Sequence, residues 1–417
     1  MYCPRGYGES LNRPPLHFAQ FVARHWALLL AMSFGSTLAH IATTGMPLQV
    51  GALMDGTART ASEAGLYAFV EVGSLALGMI LLSLLVARIR PVRVAIAGAV
   101  LASLAYTGLY FAREFWIQLA LGGFAGLGFG MVYSANIAAG ASVDDADRAY
   151  GIGFGGSLLL VVSIMTLLPF TSTRFGLLGI FACLAGFSLI STPLFCGFKE
   201  ASAVRKGEPP PKQRAVWRTE GAAGLLFSWA AFSTGTAMAY VFAERIGKNI
   251  HLLSTDVGLV LSSGVFVGLL GTTAAALFSQ RLNRRVALVV GLAGSALACF
   301  LIGHATSLLL FALGIWLFWV FTMFLYCFLL GSAAILDDSG RLGTFGSGTE
   351  RLGYAVGSWI GGLLAQHVSY SSTGTFGCAV CLLGLILGYP TLFRALTERR
   401  LLKTMGAKQV LSCDDCA

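Results

Sequence analysis

Stretch after stretch of this sequence is apolar for about 20 residues, the length a helix needs to cross the hydrocarbon of a bilayer. Twelve such runs can be marked, at 24–47, 65–87, 94–112, 117–141, 149–172, 176–197, 221–246, 256–279, 286–304, 306–336, 342–369 and 373–395. In lipid each backbone N–H and C=O must be satisfied within its own segment, so runs of this kind fold as helices and not as open sheets. Only 11% of the residues are charged, less than half of the ~25% usual in a soluble domain. A soluble enzyme, a disordered chain and a collagen-like chain are excluded. The expectation is an all-α polytopic membrane protein with twelve transmembrane helices.

The connections are short except one. Residues 198–220 carry six basic and three acidic side chains around Pro209-Pro210-Pro211, and they divide the spans into six and six. The implied organisation is an N-terminal segment 1–23, a six-helix bundle 24–197, a linker 198–220, a second bundle 221–395 and a tail 396–417. Residues 1–23 are polar and the first apolar run is full length, so no cleavable signal peptide is expected. Lys and Arg set the orientation, because they accumulate in cytoplasmic loops. With the N-terminus inside, only Arg59, Arg113, Arg174, Arg245 and Lys248 of the 28 basic residues fall outside. Both termini are therefore expected in the cytoplasm of a cell (inner or plasma) membrane protein. The formal charge of +9 is then an orientation signal, and no nucleic-acid partner is expected.

The two halves share sequence. Asp144-Asp145-Ala146-Asp147-Arg148 follows the fourth span and Asp337-Asp338-Ser339-Gly340-Arg341 follows the tenth, a common Asp-Asp-x-x-Arg. Arg93-Val94-Ala95 and Arg285-Val286-Ala287 open the third and ninth spans at nearly the same offset. Two matches in corresponding loops point to a duplicated six-helix unit. Parallel repeats of this type hold a solute near the bilayer midplane and alternate access by rocking.

Six plus six spans, a long inner linker and basic loops after spans two and eight resemble the major facilitator superfamily over residues 20–396. The family's loop signature, Gly-x-x-x-Asp-Arg-x-Gly-Arg-Arg, is similar to Gln280-Arg281-Leu282-Asn283-Arg284-Arg285. The first copy, Ala87-Arg88-Ile89-Arg90-Pro91-Val92-Arg93, lacks the acid and the glycine. The resemblance implies two pseudo-symmetric six-helix bundles and a secondary transporter, usually monomeric. A family element of drug/proton antiporters and an intramembrane Arg linked with proton coupling have no counterpart here, which weakens the antiporter reading. The region of the span-five Gly-Pro element reads Gly151-Ile152-Gly153-Phe154-Gly155-Gly156-Ser157, and span four carries no Arg.

The resemblance also makes the first and fourth helix of each half the cavity lining. All four carry a polar or aromatic stripe at helical spacing. These are Ser36, His40 and Thr44 in span one, and Tyr133 and Asn136 in span four. Span seven offers Ser233, Thr236 and Tyr240, and span ten Trp316, Trp319, Met323 and Tyr326. An isolated membrane Ser or Thr often only bonds the preceding turn, and an aromatic stripe can equally be core. Glycines four apart (Gly122, Gly126, Gly130; Gly264, Gly268; Gly353, Gly357, Gly361) suit close helix packing, or smooth faces on which the halves slide.

Ionisable groups inside lipid are costly and normally face a cavity or a partner. His40, Glu71, Glu350 and Arg351 qualify, the last two by aligning the Asp-Asp-x-x-Arg motifs, which moves them from a loop into the eleventh span. They are the candidates for proton coupling or gating, and Arg351 also for binding an anionic solute. The plainer readings are a snorkelling Glu71, a core His40 and a structural Glu350–Arg351 pair that latches the inner gate. Glu244, Arg245 and Asp256 read as solvated ends of spans seven and eight.

None of the nine cysteines lies in an outer loop, and Cys413-Asp414-Asp415-Cys416 is a lone pair of thiols where a metal site usually has four ligands. No metal, cofactor, ATP-driven pump or enzyme is expected. The reading is a secondary transporter that moves a small organic solute, an organic anion or aromatic compound, by alternating access and proton-coupled uptake. The rivals are a proton-coupled exporter of drugs, metabolites or a siderophore, and a transporter-like sensor that binds without transporting.

Overall fold

The computed structural model describes residues 18–85, 90–141, 143, 146–176, 178–202, 220–278, 282–336, 341–388, 390 and 393. The chain there is entirely helical in its regular structure. The first group comprises α1 (Phe18–Thr44), α2 (Met46–Thr57), α3 (Ala61–Leu85), α4 (Pro91–Phe111), α5 (Phe115–Ala141), α6 (Ala146–Phe175) and α7 (Gly179–Leu194). The second comprises α8 (Ala222–Tyr240), α9 (Ala243–Asn249), α10 (Ser254–Phe278), α11 (Arg284–Gly303), α12 (Leu308–Leu336), α13 (Arg341–His367) and α14 (Tyr370–Leu383). Asp144, Asp145, Asp337 and Asp338 of the repeat, and residues 86–89 and 279–281 of the two basic loops, lie outside the described residues, as do most of the linker and the tail.

Eleven helical stretches are long and apolar enough to cross a membrane. The twelfth expected span is α13, whose 27 residues include Arg341, Glu350 and Arg351. Its polarity has a structural reason, since it packs lengthwise between α8 of its own group and α3 of the other. Side chains that water would not tolerate face outward elsewhere: Leu104 is 66% exposed, Ile190 66% and Leu309 67%. Lipid is the solvent these faces need.

Each group closes on itself, α3 and α4 on α5, α1 on α6 and α4 on α7 in the first, α13 on α8 and α10 and α11 on α12 in the second. The spaced glycines serve this internal packing. Gly126 lies directly on the Glu71 carbonyl of α3, Gly357 on the Thr234 carbonyl of α8, and Gly264 against Ile315 and Trp319 of α12. The glycines at the divide between the groups are different ones. A Cβ on Gly65 would stand 2.7 Å from the Ser358 carbonyl and 2.9 Å from Gly362 Cα.

The first span of each group is broken at the same relative place. Gly45 separates α1 from α2, and Pro47, at the start of α2, cannot donate to the preceding turn. In the second group α8 gives way at Val241–Phe242 to α9. The short helices α2 and α9 extend past their parent spans and meet each other. Asp55 sits on one and Arg245 on the other, so this end of the molecule is called the Asp55 side, and the opposite end the linker side. The contact of α3 with α13 runs down from the Asp55 side through Ala61–Gln366, Gly65–Gly362 and Phe69–Trp359 to Gly73–Ala355. Four residues further on, Leu77 is 52% exposed. The groups are joined on the Asp55 side and part from each other toward the linker side.

Candidate functional site

Where the groups part, α13 presents Arg351. Its side chain is buried, with the residue 8% exposed, and its Nη1 donates to Thr43 Oγ1 of α1 across 2.9 Å. One turn on, the Tyr354 hydroxyl donates to the Thr43 carbonyl at 2.9 Å. Tyr240 at the end of α8 donates to the next carbonyl, that of Thr44, at 3.0 Å. The second group thus holds the unwound end of α1 by three bonds, and the break at Gly45 is what exposes the carbonyls to be held. Neither Thr43 nor Tyr354 stands out in the sequence. Thr43 is one step out of the Ser36–His40–Thr44 stripe, and Tyr354 reads as an ordinary aromatic.

Glu350 lies beside Arg351, Oε2 to Nε at 3.5 Å, a loose pair that leaves much of the guanidinium fork unused. Its carbonyl accepts from Ser233 Oγ at 2.5 Å, which ties this turn of α13 to α8. An inner-gate latch is one of the two sequence readings of this pair. The geometry puts it at the floor of the opening, against the joined side.

Around Arg351 stand rings from both groups, His40 and Tyr133 from the first and Tyr326 from the second, all within its electrostatic reach. His40 lies edge-on to Tyr133, centroids 6.0 Å apart, and to Phe154 at 5.9 Å, with its Nδ1 on the Ser36 carbonyl at 2.7 Å. From α12, Tyr326 lies edge-on to Trp229 at 5.7 Å and reaches Ser347 of α13 at 3.4 Å. His40, Tyr133, Tyr326, Glu350 and Arg351 are therefore the predicted residues that the fold gathers around the gap.

Other predicted residues turn into the packing. Asn136 donates to Ser36 Oγ at 2.8 Å, and both are 1% exposed, which ties α5 to α1 inside the first group. Thr236 bonds only the Phe232 and Ser233 carbonyls of its own helix. Trp316 donates to Ser263 of α10 at 2.9 Å. Tyr240 stacks on Phe318 at 4.6 Å and lies edge-on to Trp319. Thr44 contributes its carbonyl and not its hydroxyl to the junction.

Glu71 does not snorkel. It is 0% exposed within the first group, with Oε1 accepting from the Tyr106 hydroxyl at 2.8 Å and from Gln49 Nε2 at 3.4 Å. Tyr67 donates to the Oε1 of the same Gln49 at 3.1 Å.

Two of the three charges read as solvated, Glu244 and Arg245, are the largest correction. Arg245 Nη1 lies 2.6 Å from Asp55 Oδ1 and Lys248 Nζ 2.7 Å from Asp55 Oδ2. Glu244, 6% exposed at its side chain, holds Arg245 Nε at 3.0 Å and Lys248 Nζ at 2.7 Å. Arg245 also bonds the Gly51 carbonyl of α2. Burial raises the Asp55 carboxyl's pKa, but hydrogen bonds from Arg245 and Lys248 outweigh it and hold the group below its ordinary value. The signal in the sequence was two of the five outer basic residues standing close together at the end of span seven.

Among the described residues no group of three or more His, Cys, Asp and Glu could hold a metal ion. The Major Facilitator Superfamily model matches residues 26–348. No curated protein matches the sequence. Among solved structures, the nucleoside transporter NupG is similar over 88% of this chain and 99% of its own, with a TM-score of 0.72 at 9% identity. An inward-facing, unoccupied bacterial homolog of the human lysosomal transporter Spinster is similar over 90% of this chain and 98% of its own, with a TM-score of 0.67 at 14% identity. Likenesses at such low identity carry the fold and no substrate.

Proposed function

This chain belongs to the major facilitator superfamily, and from that premise we propose that it is a proton-coupled importer of small aromatic carboxylates. That it is a multi-pass membrane protein and a secondary transporter follows from the family; solute, coupling and direction are the proposal. The observation that carries it is Arg351, a buried cation at the floor of a gap lined by His40, Tyr133 and Tyr326. Guanidinium pairs with a carboxylate through two parallel hydrogen bonds, and flat rings on either side favour a planar apolar body. A cation kept in this place with only a loose acid partner is poised for an anion from outside the chain.

The bias of Lys and Arg puts the linker side in the cytoplasm and the Asp55 side outside. In that frame the described conformation opens to the cytoplasm, the same sense as the inward-facing Spinster homolog. An imported anion would leave from here, and a proton entering with it would offset its charge.

The test is flux in proteoliposomes, with protein-free liposomes as the control for passive leak. Labelled phthalate serves as probe, because a dianion leaks slowly across lipid. An external proton excess is expected to drive its accumulation, a protonophore to collapse it, and Arg351→Gln to abolish it. Expulsion of preloaded phthalate by external acid would support the exporter instead. Binding without flux in either direction would support a sensor.

A further inference from the structure

We propose that Glu71 is a proton-binding site distinct from the solute gap, and that Gln49 passes its protonation state to the α2–α9 junction. The site is built inside the first group, away from the divide. Glu71 of α3 is fully buried. Its Oε1 takes the Tyr106 hydroxyl from α4 and the Gln49 amide from α2, whereas Oε2 has no hydrogen-bond partner among the described residues.

The groups that face it are uncharged. Tyr67 comes from its own helix, Tyr106 from α4 and Gln49 from α2, the Phe181 ring of α7 covers Tyr67 and Tyr106, and α5 offers the backbone at Gly126. From α13, Tyr354 lies within electrostatic reach, and its hydroxyl is spent on Thr43. Arg351 is turned to Thr43 and Glu350, and His40 to Ser36. Among the described residues no Lys, Arg or His pairs with Glu71. An ionised carboxylate there would be a lone charge in low dielectric with half its lone pairs unmet, a cost of several kcal/mol. The neutral acid costs less, with Oε1 accepting from Tyr106 and Gln49 and only an O–H on Oε2 left without an acceptor among the described residues.

The same α2 helix carries Gln49 at its buried end and Asp55 six residues on, at the junction with Arg245 and Lys248. Loss of the proton leaves a carboxylate that demands water or further donors, and Gln49, at 3.4 Å against 2.8 Å for Tyr106, is the more loosely held of its two donors. Displacing Gln49 displaces α2, and with it the Asp55 contact. The neutral acid therefore belongs with the joined Asp55 side, and the carboxylate with its parted form. By linkage, each state selects the protonation it binds better.

The assignment rests on the proton-coupled reading for its role in transport, but its test needs no solute. Ser358, 0% exposed against Gly65, becomes a reporter as Ser358→Cys in a chain whose nine native cysteines are replaced by serine or alanine, reactive with maleimide only when the Asp55 side parts. The detergent-purified protein is labelled from about pH 5 to about pH 9, a range wide enough for a buried carboxyl to titrate, each rate normalised to the unfolded chain. The expected result is a rise of about tenfold with pH, following occupancy of one proton. Adding Glu71→Gln, a mimic of the neutral acid, is expected to leave the rate low and flat. Infrared difference spectra should show a protonated carboxyl that titrates over the same range and is missing in Glu71→Gln. A pH-dependence unchanged by Glu71→Gln overturns the proposal. So does a spectrum without a titrating carboxyl, a measurement on the parent chain that holds even if the variant fails to fold. A titrating Glu71 alongside phthalate flux indifferent to protons would instead overturn the coupled reading and leave the site standing.

Discussion

Arg245 of α9 donates to Asp55 of α2 at 2.6 Å, a bond that spans the divide between the two helix groups. With Lys248 on the second carboxylate oxygen and Glu244 behind both bases, two acids and two bases lock the extended ends of the first spans together. Isolated surface pairs contribute little, whereas a network with one buried member is worth more. Asp55→Asn is expected to weaken the junction by ~1–2 kcal/mol, or about 5- to 30-fold in the equilibrium between joined and parted forms. Maleimide labelling at Ser358→Cys reads that shift directly. Asp55 is about a third exposed, 32% at its side chain, so added salt should reproduce part of the effect. Labelling unchanged by the substitution would show that α2 and α9 are held by their backbones alone.

The junction has a pH signature of its own, independent of Glu71. Asp55 titrates below its ordinary value because Arg245 and Lys248 favour the carboxylate more than burial disfavours it. A depressed acid contributes its stabilisation above the ordinary pKa and loses it as pH falls through the depressed one. Asp55 therefore leaves the junction constant above about pH 5 and weakens it only in stronger acid. Labelling of Ser358→Cys in the Glu71→Gln background should stay flat until that acid limb and then rise. An Asp55→Asn chain should lack the limb.

Two glycines separate folding from gating. A methyl on Gly126 would overlap the Glu71 carbonyl inside the first group, where α5 lies on α3. Overpacking of this kind costs about 1–3 kcal/mol or more, so Gly126→Ala should lower the melting temperature and the yield. A methyl on Gly65 meets Ser358 and Gly362 across the divide, where the groups can part to relieve it. Gly65→Ala should leave the melting temperature within a degree or two and raise labelling at Ser358→Cys. Equal destabilisation by both would mean that the divide is as rigid as the interior of a group.

The spans were legible because burial in lipid writes itself as long apolar runs, and α13 shows the limit of that signal. Its Glu350 and Arg351 look like loop residues by hydropathy, and only the internal repeat lifts them into a helix. The cavity stripes were legible as stripes but not by facing. Helical spacing puts Ser36 beside His40, yet a rotation of a fraction of a turn decides that Ser36 meets Asn136 inside the group while His40 meets Tyr133. The Asp55–Arg245 bond joins residues 190 apart. Charges near a predicted loop read as solvated by default, and the close spacing of Arg245 and Lys248 does not say that Asp55, in the other group, is their partner.

Arg351 and Glu350 supply the sharpest test of the solute site, because they can be altered separately and together. Arg351→Gln removes the anion's partner but also strands Glu350, so lost binding alone would be ambiguous. Glu350→Gln with Arg351→Gln removes both charges at once and should recover most of the thermal stability. Its phthalate affinity should remain about 30- to 150-fold weaker, the ~2–3 kcal/mol of a charge-assisted pair. Arg351→Lys should fall between, keeping the charge but losing the planar fork. Glu350→Gln alone should bind phthalate more tightly than the parent chain, since the 3.5 Å pair would no longer compete for the guanidinium. Stabilisation of the purified protein by phthalate measures all four. Weaker binding by Glu350→Gln would make Glu350 a partner of the solute and not its competitor, and would exclude a simple anion site at Arg351.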